Sequence, residues 1–142
     1  MKKLILSIFL CCGLTTNIMA QNENEPFKGY YYNDEYNIYL KIDLHSDGLI
    51  VPEHEMFGKL PGYLGKKYNS FYWLITTKDI KNKKKAIVEF INDYGSEDLE
   101  ASLSKKEDGT IILKQLNGSD LKVPNNGKWQ KIPKEITLKK KL

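Results

Sequence analysis

Tyr36-Asn37-Ile38-Tyr39-Leu40-Lys41-Ile42-Asp43-Leu44 alternates without a break, placing Tyr36, Ile38, Leu40, Ile42 and Leu44 on one face and Asn37, Tyr39, Lys41 and Asp43 on the other. A period of two puts successive side chains on opposite sides of an extended backbone, so this stretch is a half-buried strand. Upstream, Phe27 to Tyr32 is rich in residues that favour strands, and Asn33-Asp34 between the two runs suits a tight turn. Downstream, His45-Ser46-Asp47-Gly48 is a second turn, leading into Leu49-Ile50-Val51.

The same grammar continues toward the C-terminus. Phe71 to Thr77 reads as a strand and Lys78 to Lys84 as a lysine-rich turn; Ala86 to Ile91 reads as a strand buried on both faces. Leu99, Ala101 and Leu103 alternate with polar residues until Glu107-Asp108-Gly109. Thr110 to Leu116 and Leu121 to Val123 follow, with Asn117-Gly118 between them as a hairpin signal, and Trp129 to Ile132 reads as a last short strand. Turn residues every ten or so positions and no amphipathic helix predict an all-β fold, an antiparallel meander of about eight strands. Closure into a small closed or partly open β-barrel removes exposed edges, and a β-sandwich is the alternative.

The ends of the chain read differently. Lys2 and Lys3, the apolar run Leu4 to Leu14 and the small residue Ala20 have the form of a signal peptide over residues 1–20. The apolar run is shorter than the roughly 20 residues that a spanning helix needs, so no transmembrane segment is expected in the mature chain. Removal of the first 20 of 142 residues leaves 122, one domain by size, organised as a disordered N-terminus (21–26), a barrel domain (27–133) and a lysine-rich tail (134–142). The expected location is periplasmic or extracellular. Cys11 and Cys12 both fall within the leader; lipidation at either would need a small residue just before it, where Leu10 or Cys11 stands.

All 22 basic residues are lysines, which removes the bidentate guanidinium contacts that phosphate and guanine recognition use. Loss of Lys2 and Lys3 lowers the formal net charge from +4 to +2. Nucleic acid is therefore not an expected partner. The runs at Lys81 to Lys85 and Lys139 to Lys141 read as a solvated turn and a frayed end.

The organisation of the mature chain, from Phe27-Lys28-Gly29-Tyr30-Tyr31-Tyr32 to Gly127-Lys128-Trp129-Gln130-Lys131-Ile132-Pro133, resembles that of small secreted lipocalin-like barrels. The resemblance implies a lumen able to take a small apolar ligand.

Pro52 to Ser70 is the longest interruption of the strand pattern, and it holds Met56, Phe57, Leu60, Tyr63 and Leu64 among glycines and Pro61. Such a connection is either satellite core or a recognition loop, because a hairpin needs only two to five residues. Met56, Phe57, Leu60 and Tyr63, with Tyr31 and Tyr39 where these face solvent, are the candidate contact residues for an extracytoplasmic protein, a polymer or a small apolar ligand. His45 and His54 read as solvated loop residues, and Asp93, Ser96, Glu97 and Asp98 as turn formers. The serines lack a nucleophile-elbow context, so neither catalysis nor a metal or other cofactor is expected. These features favour a non-enzymatic binding module over a lipocalin-like carrier or a hydrolase. Terminal sequencing of the exported protein is expected to begin at Gln21; an acylated Cys11 or Cys12, or a retained Met1, would contradict the leader reading.

Overall fold

The computed structural model describes residues 25–142, so the leader and residues 21–24 of the expected disordered start lie outside the described residues. Eight antiparallel strands close into a barrel: β1 (Lys28–Asn33), β2 (Ile38–Asp43), β5 (Gly62–Lys66), β6 (Tyr72–Asn82), β7 (Lys85–Asn92), β8 (Asp98–Lys105), β9 (Ile111–Gly118) and β12 (Glu135–Lys140). They follow one another round the wall in chain order, and β12 pairs with both β9 and β1 to close it. Two short ribbons lie outside the wall: β3 (Leu49–Ile50) with β4 (Lys59–Leu60), and β10 (Lys122–Asn125) with β11 (Lys128–Lys131). The expected all-β meander is thus a closed barrel.

The membership of the wall differs from the sequence reading in two places. The segment beyond Pro133 is not a tail: Ile136 and Leu138 are buried while Glu135, Thr137 and Lys139 face out, the alternation of a wall strand. Gly62 to Lys66, inside the expected loop, is also a wall strand, with Tyr63 and Leu64 buried on its opposite faces. Its glycines hide it from propensity, yet each is there for space. A Cβ on Gly65 would stand 2.6 Å from the Tyr39 ring that covers it, and one on Gly62 would collide with the Lys41 carbonyl.

Three smaller corrections have equally local causes. β6 extends through Asn82, so the lysine-rich turn shrinks to Lys83-Lys84. The β7 strand alternates: Ala86, Val88, Phe90 and Asn92 are buried, whereas Ile87 and Ile91 face outward and are partly covered. Asn117-Gly118 is no hairpin turn; Gly118 pairs with Leu99, and its φ of +101° lets it pass where a Cβ would lie 2.5 Å from the Asp98 carbonyl. The Asn-Gly turn comes at Asn126-Gly127, where φ values of 53° and 78° join β10 to β11 in the left-handed conformation such turns need.

The lumen is packed. Tyr31, Ile38, Leu40, Leu64, Trp73, Ile75, Val88, Phe90, Leu103, Ile111 and Leu113 each have no accessible surface, which a water-sized internal void would have given them. Eight strands leave an interior just wide enough for side chains to fill. Phe27 and Leu44 join this core at the end where β1 begins, and the Leu44 amide donates to the Phe27 carbonyl at 3.1 Å. The β10–β11 ribbon folds over the other end, contributing Leu121 and Val123, while Ile132 joins the core just after it. Gln115 pins this ribbon from inside: its Nε2 donates to the carbonyls of Ile132 and Pro133 at 3.2 and 3.1 Å, and its Oε1 accepts from the Leu121 amide at 2.8 Å.

If β12 closes the wall, truncating Leu138 to Ala is expected to destabilise the fold by about 2 to 5 kcal/mol, and Lys139→Ala by less than about 0.5 kcal/mol. Denaturant unfolding of the two variants checks this, and equal effects would mean that the end of the chain is not part of the wall.

Candidate functional site

The connection between β2 and β5 leaves and re-enters the wall at one end, where the Asp43 amide donates to the Pro61 carbonyl at 2.9 Å. Between those points it runs up the outside of the barrel as the β3–β4 ribbon and returns. Leu49, Val51 and Leu60 come down on Tyr63, Tyr72, Leu74 and Ile91, which point outward from β5, β6 and β7. A second, smaller core forms on the outer surface of the wall. Leu60 and Tyr63 are therefore packing residues; Tyr63 is only 5% exposed and has little surface to offer a partner.

The tip of this ribbon reaches the far end of the barrel and is fastened there. His54 Nε2 meets the Asp93 carboxylate at the start of the β7–β8 turn, and His54 Nδ1 donates to the Pro52 carbonyl at 3.1 Å. His54 is thus not a solvated loop residue, having 14% side-chain exposure. Burial disfavours its charge, but the Pro52 carbonyl, the Asp93 carboxylate and nearby Glu53 outweigh burial and raise its pKa above the ordinary 6.5. With both ring nitrogens directed at acceptors, the imidazolium is the form that satisfies the site. Neither nitrogen is left to take a proton from a nucleophile.

A line of rings leads across the wall to this latch. Tyr30 stacks on Tyr39 at 5.3 Å, Tyr39 meets Tyr63 edge-on at 5.9 Å, Tyr63 meets Tyr72 at 5.1 Å, and Tyr72 meets His54 at 5.7 Å. Phe57 stacks over the far side of the His54 ring at 6.1 Å. Burial, with the Tyr72 and Tyr63 hydroxyls beside it, pushes the Tyr39 phenol far above its ordinary range. Tyr39 is a half-buried member of this line, covering Gly65. Tyr31 faces the lumen with no exposed surface, opposite Leu40, and takes no part in any external surface.

Of the residues expected to touch a partner, Met56 and Phe57 remain outside, at 83% and 56% exposure on a 3-10 turn over Glu55–Phe57. The same end of the barrel carries rings that the sequence alone does not mark as contact residues. Phe71, buried beside Trp73 before β6, lies 5.7 Å from Tyr94 and 5.0 Å from Trp129. Tyr94 is 73% and Trp129 49% exposed. Tyr94 follows the latch carboxylate Asp93, so the ribbon tip and the aromatic rim meet at one end of the barrel.

This rim is rigidly supported. Asn92, almost fully buried, accepts the amides of Ser96 and Glu97 at 2.9 and 3.2 Å and so shapes the turn that carries Tyr94. The Trp73 indole donates to the Lys122 carbonyl at 2.8 Å, and the Lys122 ammonium bonds Glu97 at 3.0 Å while lying 5.8 Å from the centre of the Trp129 ring. Asp93, Ser96, Glu97 and Asp98 do form or flank a turn, as read, but Asp93 also holds the latch. Among the described residues, no three histidine, cysteine or acidic groups converge as metal ligands would. No protein family, curated protein or solved structure matches this chain.

The latch has a sign. A histidine whose folded pKa lies above its unfolded one adds stability that is fully present below the unfolded value and is lost as pH rises through the folded value. Imidazole proton resonances are expected to titrate for His54 with a midpoint above 6.5. Asp93→Asn should lower that midpoint and loosen the ribbon tip; an unchanged midpoint would mean that the carboxylate does not hold the imidazolium.

Proposed function

We propose that the protein is an exported, non-enzymatic binding module, and that it engages an extracytoplasmic protein or polymer through the aromatic end of the barrel. The observation that carries this reading is the exposure of Met56, Phe57, Tyr94 and Trp129, large apolar side chains left at the surface at one end of a barrel whose core is closely packed. Exposed aromatics on a rigid support are what contact surfaces use, since rings present large area with few torsions to immobilise. Flexible loops would pay that ordering cost at each encounter; these rings sit on a latched ribbon, a hydrogen-bonded turn and a paired strand.

Two competing readings are less well supported. A carrier needs a cavity, and the lumenal side chains leave none that water could enter. A hydrolase built on His54 would need a free ring nitrogen, and both are engaged. Export rests on the form of the first twenty residues, with their charged start and apolar run.

The test is capture of binding partners from the native extracellular milieu by the immobilised protein and by the variant Phe57→Ser with Trp129→Ser. The variant is expected to keep the barrel folded, as judged by circular dichroism, and to lose the captured material. Capture unchanged by the substitutions, with the fold intact, would remove the aromatic end from the function.

A further inference from the structure

The end of the barrel opposite the aromatic rim has its own chemistry. β6 and β7 meet there in the Lys83-Lys84 turn, and β8 and β9 meet beside it through Lys106 to Thr110. The two hairpins are neighbours in the wall, and the Lys105 amide donates to the Lys84 carbonyl at 2.8 Å. Six lysines, Lys81, Lys83, Lys84, Lys85, Lys105 and Lys106, thus crowd this region against Asp79, Glu107 and Asp108. Asp79 is taken by Lys81 at 2.6 Å, and the Asp108 carboxylate accepts from the Thr110 amide and hydroxyl at 3.0 and 2.7 Å. Lys83, Lys84, Lys85, Lys105 and Lys106 make no ion pair among the described residues. Lys83 to Lys85, Lys105, Asn82 and Ser104 line a shallow depression of about 580 Å³.

We propose that this end is a docking face for an anionic lipid bilayer, which would hold the barrel upright with its aromatic end directed away from the membrane. Like charges brought together on paired strands repel, so the cluster opposes folding slightly, and a turn of Asn and Gly would have closed the hairpin without that cost. An opposing layer of negative charge reverses the sign. The lysines sit at the tips of adjacent hairpins at the end of a cylinder, an arrangement that lets them approach a plane together. Ammonium groups act as point charges and need no fixed geometry in their partner, which suits a fluid array of headgroups better than one bound phosphate group. The proposal is independent of what the aromatic end binds.

Sedimentation of the purified protein with vesicles of phosphatidylcholine alone, and of phosphatidylcholine mixed with phosphatidylglycerol, tests it. Binding is expected only to the mixed vesicles and should fade with added salt, as the screening length falls from about 10 Å at 0.1 M to about 3 Å at 1 M. Lys83→Glu with Lys106→Glu should weaken it roughly tenfold or more, since each lysine near such a surface contributes on the order of 1 kcal/mol. Lys66→Glu with Lys128→Glu, the same change of charge placed at the aromatic end, should leave it nearly unchanged, and neither pair should lower the thermal midpoint. The proposal is overturned by equal binding to both vesicles, by binding to neither, or by equal losses in the two double variants. Retention on immobilised dextran sulfate without vesicle binding would also overturn it, assigning the face to a soluble polyanion.

Discussion

The pairing of Glu135–Lys140 with β9 on one side and β1 on the other is the contact on which the rest of the molecule depends. Without it, β1 and β9 would each present a row of unpaired amides and carbonyls to solvent, and the core between them would be open along one side. With it, every wall strand is hydrogen-bonded on both sides, and the alternation of each strand divides its residues into a lumenal and an external set. Ile136 and Leu138 complete the lumen from a segment whose outer face is polar, formed by Glu135, Thr137 and Lys139.

Closure at eight strands has a consequence for how the molecule can interact. The interior is filled by its own side chains from Phe27 at one end to Leu121 and Val123 at the other, which leaves the outer surface as the place where another molecule could be contacted. Here the long β2–β5 connection matters. It fills no part of the barrel; it builds a second apolar layer over Tyr63, Tyr72 and Leu74 and carries Phe57 and Met56 to the rim. The energetic division is clear along this one segment: Leu49, Val51 and Leu60 bury apolar area, His54 fixes the tip, and the two residues beyond it remain in water.

How much of this was legible depended on whether the relevant signal was local. Ile38 to Asp43 announced itself because five consecutive alternations have no other reading, and the antiparallel meander followed from many such runs, although periodicity left closure and stacking into a sandwich both open. The β5 strand did not, since Gly62 and Gly65 lower strand propensity while answering to contacts with Lys41 and Tyr39, residues 21 and 26 positions away. The β12 strand was hidden by composition: four lysines near the end of a chain look frayed, although Ile136 and Leu138 carry the period of two. Asn117-Gly118 misled for the opposite reason, a strong local turn signal overruled by the close passage of β8. The site was less legible still. His54 and Asp93 lie 39 residues apart, and Tyr94, Phe71 and Trp129 come from three separate connections or ribbons, so only the closed wall shows that they share one end.

Where local preference and global fold agree, they agree in the wall; where they part, they do so at the two ends. In the wall, polar groups that are buried are satisfied, as Gln115 and Asn92 are, and most apolar residues face inward or lie under the ribbon, with Ile87 and Leu116 on the outer face as exceptions. At one end, rings that hydrophobic burial would have hidden stand exposed on a hydrogen-bonded support. At the other, lysines that electrostatics would have dispersed are gathered on two adjacent turns. Neither arrangement is needed to close a barrel: the exposed rings gain little from burial, and the gathered lysines repel one another. A sequence under selection for folding alone would lose such features first, since most surface positions accept substitution within about 0.5 kcal/mol. The two ends are thus the places where the physics of folding leaves a remainder, exposed rings at one pole and gathered lysines at the other, and the two proposals rest on that remainder.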